Sequence, residues 1–249
     1  MNDILLTSKI KSYEKDYRAF MKIDSFPNYL LEQKTVSLET AESQGFESLA
    51  SAQYDFNNFK HKIIVSNNIP IKRYLVFHEF THILDAEMYS SNNKQRYSGI
   101  SGYTEYHASQ IELLELLGAN SVEDTISFSN STIINTVSGE KTVLQYMSEK
   151  HQHALSLFGR KDFPSSIEVL KSALGVLFNY WGIRSICKMY STDYSLNENN
   201  QPFLTTIPHD VFVIFNNMMN GWVDNSKIEL SIKLYLGVIC SLAKEFNLI

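Results

Sequence analysis

The sequence is poor in the residues that staple, break or bend a chain. Its two cysteines, Cys187 and Cys240, cannot build a disulfide framework; they read as reduced, buried thiols of a cytoplasmic protein. Ten glycines and five prolines exclude collagen-like, elastic and glycine-linked architectures. Neither sign of charge dominates: 22 Lys and Arg against 27 Asp and Glu leave a formal net charge of −5. No direct nucleic-acid partner and no membrane partner follow from such a balance. Long apolar runs are missing too. The longest, around Leu174–Ile183 and Leu234–Ala243, are interrupted by Asn179 and Ser241 and are too short to span a bilayer. The amino terminus carries the acid Asp3 before a short apolar run, Ile4-Leu-Leu6, which does not read as a secretory signal.

What is present is material for a core. Hydrophobic residues make up 44% and aromatics 12% of 249 residues, which excludes disorder as a global description. Periodicity predicts a helix over Asp3–Lys22, then a mixed region to about Lys60. The end of that region reads as a hairpin turning at Asn57-Asn58, with His61–Ser66 as its second strand. Pro70 stands just before a helix predicted over Ile71–Tyr89. A loop to Gly102 and a helix over Tyr103–Leu117, stopped by Gly118, follow. Residues Ser121–Gly139 give no clear element. Helices are then expected over Lys141–Phe158, Pro164–Tyr190, His209–Met219 and Ser226–Phe246. Their separators are Gly159–Phe163, the asparagine-rich Ser195–Pro202 and Gly221–Asn225. The expected fold class is α+β, mostly helical, with residues 1–120 as one unit and 121–249 as a helical region.

The chemistry concentrates in Leu75-Val-Phe-His78-Glu79-Phe80-Thr81-His82-Ile-Leu84. Two histidines four apart on a helix project from one face and share a metal ion. Glu79 lies about 100° around the axis from His78, placed to reach a water on that metal without being a ligand. Imidazole suits Zn²⁺, whose catalytic sites take three protein ligands and leave a fourth position open. The bland alternative is a buried amphipathic helix with two incidental histidines, which would bury three polar side chains beside Phe77, Phe80, Ile83 and Leu84 at unexplained cost.

The third ligand is read less directly. A histidine six residues past His82 would mark the metzincin pattern, but Met88 stands there and Asp85 replaces the motif's glycine. Glu105, in the first turn of the next expected helix, is the better candidate, with His107 and Glu112 as substitutes. A first-turn acid is also what a helix dipole favours. Asp85 reads either as an orienting partner of a ligand histidine or as the cap of a solvated edge.

His78-Glu-Phe-Thr-His82 with Glu105 resembles a gluzincin-type zinc metallopeptidase. Together with Tyr54-Asp-Phe, His61-Lys-Ile-Ile-Val-Ser and Glu105-Tyr-His-Ala, it resembles more particularly the ImmA/IrrE group. Those are compact intracellular metallopeptidases of phages and mobile elements that act on transcriptional repressors. The resemblance covers about Gln53 to Leu117. It implies zinc, His78, His82 and Glu105 as ligands, Glu79 as general base, and a repressor as protein substrate. Phe80-Thr81 departs from the Leu-Gly pair common in that group.

A peptide substrate is expected to lie antiparallel to His61–Ser66, read as an edge strand, with the helical region roofing the cleft. Cleavage needs an oxyanion donor besides the metal; Tyr103, Tyr106 and His107 lie beside Glu105 in sequence, and His107 or Tyr106 is the choice. His151 and His153 read as surface residues, His61 and His209 as isolated. Phe178, Tyr180 and Trp181 read as core or interface. The alternative to a peptidase is a silent zinc-fold binding module that would need the ligands but not Glu79.

Overall fold

The computed structural model describes residues 3–36, 49–90, 92–195 and 200–248. Parts of two expected segments, the mixed region at 37–48 and the asparagine-rich separator at 196–199, lie outside these. Helix α1 spans Asp3–Met21, strand β1 Tyr29–Lys34, β2 Ala50–Asp55 and β3 Lys60–Ser66. Asp55 shapes the β2–β3 turn by accepting from the backbone N–H of Asn57 at 2.9 Å and of Asn58 at 3.2 Å, an Asx turn that asparagine-rich loops favour. The sheet order is β1-β3-β2, with β1 parallel and β2 antiparallel to β3. His61–Ser66 therefore lies in the central strand, and the expectation that it forms the edge is corrected. Its neighbour β1 was hidden, because its partner is thirty-two residues away in register, Tyr29 opposite His61.

Helix α2 spans Arg73–Ser90, and α1 packs across it. Tyr17 is fully buried with ring centroids 5.2 Å from Phe77 and 5.4 Å from Phe80. The Thr81 hydroxyl donates to Phe77 O at 2.9 Å, so Tyr17 donates to Thr81 Oγ1 at 3.0 Å. The Phe80-Thr81 pair is thus the seat of α1. It faces the core while His78 and His82 face the other way.

Helix α3 runs from Lys94 to Leu116, capped by Asn93 accepting from Arg96 N at 3.0 Å. Its start is nine residues earlier than the sequence suggested. The small residues that read as loop instead allow close helix approach. A Cβ on Gly99 would lie 2.7 Å from Ile232, and one on Gly102 2.7 Å from Tyr235. At the other end Gly118, at φ +79, stops the helix as expected.

A short hairpin, β4 Ile133–Thr136 with β5 Gly139–Thr142, fills the stretch that gave no reading. Thr142 and Gln145 then form a capping box that starts α4, Val143–Phe158. Helices α5 Ile167–Tyr190, α6 Gln201–Leu204, α7 His209–Met218 and α8 Asn225–Glu245 complete the chain. The fold is α+β and mostly helical, as expected. One hydrophobic core runs from Leu6 through Phe77, Tyr106, Leu177 and Trp181 to Leu242. Residue 120 thus separates two sequence textures that share a core. Gly182 on α5 is packed so closely on α3 that a Cβ there would sit 2.2 Å from Tyr106 O. Among the described residues no helix is long and apolar enough to cross a membrane. Cys187 is buried as expected, whereas Cys240 is exposed.

Candidate metal centre

His78 and His82 leave one face of α2 with ring centroids 4.8 Å apart. Their Nε2 atoms lie 3.6 and 3.7 Å from Glu105 Oε2 on α3. Donors held by tetrahedral zinc at roughly 2.0–2.1 Å stand about 3.4 Å apart. The three ligand atoms all lie within 4.8 Å of one another. Two imidazole nitrogens and a carboxylate oxygen converging at that spacing fit a borderline cation such as zinc. Glu105 sits in the middle of α3, not its first turn, so a helix dipole does not account for it.

The far side of each ring is also held. His78 Nδ1 meets Glu112 Oε2 at 2.7 Å, and Glu112 is 2% exposed. An ionised carboxylate only accepts, so Nδ1 carries the hydrogen and the neutral ring leaves Nε2 for a metal. His82 Nδ1 lies 3.0 Å from the Thr104 hydroxyl. Ser109 donates to Asn179 Oδ1 at 2.6 Å, leaving the Asn179 amide nitrogen for Glu105. Glu112 was weighed as a substitute ligand; the geometry makes it the orienting partner of one.

Without a metal the charges settle as follows. Burial opposes a charged His78, yet Glu105 and Glu112 on either side raise it to about 10. Burial, aided by the nearby His78, pushes His82 down to about 4 against the pull of Glu105. Desolvation also opposes the charge of the half-buried Glu105 and the buried Glu112, but the two histidines hold Glu105 at about 2, and Lys150, His78 and Tyr146 do the same for Glu112. Glu79 goes the other way. Burial raises it to about 7, tempered by His78 and by the Ala52 backbone amide.

A cavity of about 450 Å³ opens over these groups. One wall is β2, through Ala50, Ser51 and Ala52. Because Leu49 O accepts from Ser66 N at 2.8 Å, alternation turns the backbone of Ala50 and Ala52 toward the edge of β2 that no other strand pairs among the described residues. The opposite wall comes from α4 and α5, with Tyr146, Lys150, His153 and Val176.

No protein-family model, curated protein or solved structure matches the chain.

The structure does not bring every expected residue to this cavity. Tyr106 is fully buried; its hydroxyl donates to Gly221 O at 2.6 Å and accepts from Gly221 N at 2.9 Å, so it clasps a loop on the far side of α3. His107 Nδ1 pairs with Asp85 at 3.0 Å, and its ring stacks on Tyr103 at 5.6 Å. Neither Tyr106 nor His107 lines the cavity. As oxyanion donors both are set aside: adjacent residues on a helix point about 100° apart, so nearness to Glu105 in sequence did not give nearness in space. Asp85 serves His107, not a ligand histidine. His151, read as surface, is buried against Tyr180 at 4.5 Å, while His153 lines the cavity, where burial lowers its pKa. His61 is not isolated but meets Glu87 at 3.0 Å. Tyr146, Lys150, Thr104 and Asn179 were missed. The one signal for the first two was their i, i+4 spacing, which by itself says nothing about what they face.

Proposed function

We propose that this protein is a zinc-dependent peptidase that hydrolyses a peptide bond in a narrow intracellular protein target, and that it works in the cytoplasm. The observation that carries the reading is the convergence of His78 Nε2, His82 Nε2 and Glu105 Oε2, with Glu79 alongside. When bound there, zinc polarises a carbonyl and brings the pKa of a water to about 7. The chain's own residues do the rest. Glu79 accepts the proton of the attacking water and passes it to the leaving amine. The outward backbone of Ala50 and the carbonyl of Ala52 offer main-chain hydrogen bonds to an extended peptide, a role moved here from β3 to β2. The walls from α4 and α5 restrict what enters, which favours a specific target such as the repressor of a phage or mobile element. An exposed free thiol, Cys240, is compatible with a reducing compartment.

The presence of Glu79 at the cavity favours a peptidase over a silent binding module. The test incubates the zinc-loaded protein with a proteome-derived peptide library and counts new termini by mass spectrometry. Glu79→Gln should keep its zinc and lower cleavage at least ~100-fold. Undiminished cleavage by that variant would remove Glu79 from the reaction, and no cleavage by the wild type would favour the binding module.

A further inference from the structure

We infer that Tyr146 and Lys150 of α4 are positioning residues of the metal centre, acting through Glu112 on His78. This rests on the metal reading above and extends it to the carboxyl-terminal half of the chain. The two oxygens of Glu112 have different duties. Oε2 takes the His78 Nδ1 hydrogen at 2.7 Å. Oε1 accepts from the Tyr146 hydroxyl and lies 3.5 Å from Lys150 Nζ. Lys150 in turn sits over the Tyr146 ring, 5.3 Å from its centroid. The two residues are one turn apart on α4 and close on the same oxygen from two sides. A carboxylate gripped at one oxygen presents the other in a fixed direction, and so fixes the plane of the ring it holds.

Charge points the same way. Glu79, Glu105 and Glu112 all line the cavity. Three carboxyl groups gathered in one cavity favour a cationic side chain close beside them. Among the described residues, Lys150 is the only lysine or arginine that lines the cavity. Its Nζ, 3.5 Å from Glu112 Oε1, brings a positive charge to that wall without becoming a ligand. Lys141, close by in sequence, is already paired with Glu149. The amino-terminal half therefore carries the three proposed ligands together with Glu112, and the carboxyl-terminal half carries the pair that holds Glu112.

The test uses full-length protein in four forms: wild type, Tyr146→Phe, Lys150→Met and Lys150→Arg. Zinc affinity is measured by competition with a chromophoric chelator, the visible spectrum is recorded after loading with cobalt(II), and thermal unfolding is followed in parallel. Tyr146→Phe and Lys150→Met should each weaken zinc binding about 10–100-fold and shift the cobalt bands. Lys150→Arg should restore both towards wild type. If Lys150→Met does not fold, Tyr146→Phe, which removes a single oxygen, carries the test. Folded variants with wild-type zinc affinity and cobalt spectrum would overturn the inference while leaving the metal site standing. A wild-type protein that takes up neither ion would overturn the metal reading itself.

Discussion

Two histidine–carboxylate pairs cross the interface between α2 and α3, and they are near mirror images. In one, His78 of α2 meets Glu112 of α3 at 2.7 Å; in the other, His107 of α3 meets Asp85 of α2 at 3.0 Å. Both carboxylates are almost wholly buried, at 2% and 1% exposure. The first pair opens on a cavity where a second imidazole, His82, and a second carboxylate, Glu105, converge. The second stacks on Tyr103, with the edge of Trp222 6.3 Å away, and has no such company. An imidazole held by a carboxylate is therefore only a prepared ligand. What makes a metal centre is the meeting of several prepared ligands at bonding distance from one point.

The sharpest way to break this comparison is to remove each ring in turn. His78→Ala and His82→Ala should lose the zinc, from about one ion per chain to none. His107→Ala should keep it and instead lower stability by roughly 3 kcal/mol, because the buried Asp85 carboxyl loses its His107 partner. Metal content by mass spectrometry and thermal unfolding of the three variants would decide. Zinc lost with His107→Ala would abolish the distinction between the pairs.

A subtler effect separates the first pair from ordinary histidines. In the metal-free chain His78 is raised from about 6.5 to about 10. A base whose folded pKa is raised stabilises the fold fully below its unfolded value, and that contribution fades as pH climbs to the folded one. Glu79, raised to about 7, loses its own contribution over a lower range, from about 4.5 upward. Chelator-treated protein should therefore unfold at progressively lower temperature between pH 6.5 and 10. Zinc must displace the Nε2 proton, so added zinc should stabilise more as pH rises. A flat melting profile of the metal-free protein across that window would mean that His78 is not flanked by two carboxylates.

The smallest effect concerns the residue that stands between Glu105 and His107 in sequence and serves neither pair. Tyr106→Phe should cost about 1–2 kcal/mol, through the unmade bonds to Gly221, and leave zinc affinity unchanged. A change in metal binding would return Tyr106 to the site.

The α2 motif was legible because it is local: five residues, one helix face and a spacing that only a helix satisfies. Glu105 was legible as a carboxylate on the next helix, though its surroundings were misjudged. Gly99 and Gly102 carry the usual signature of a loop, and nothing in the sequence shows that Ile232 and Tyr235, more than a hundred residues on, occupy the space a side chain would need. The parallel partner of β3 was lost for the same reason, and with it the identity of the edge strand. Tyr146, Lys150 and Asn179 reach the site from helices with no visible tie to the motif. Local chemistry was readable; whatever a distant helix contributes was not.

From Gly99 to Leu114, only Ser101, Glu105 and His107 of α3 are not buried. One side of that helix serves the cavity, Gly99 and Gly102 admit α8, and Ser109 and Tyr106 receive α5. Such a helix has no idle face on which neutral substitutions can collect. In a complete map of tolerated replacements, α8 should show the usual rise and fall every three or four positions, and α3 should show an almost unbroken intolerant band. Its sequence is expected to drift more slowly than the rest of the chain, through the sum of its neighbours as much as through the proposed metal site.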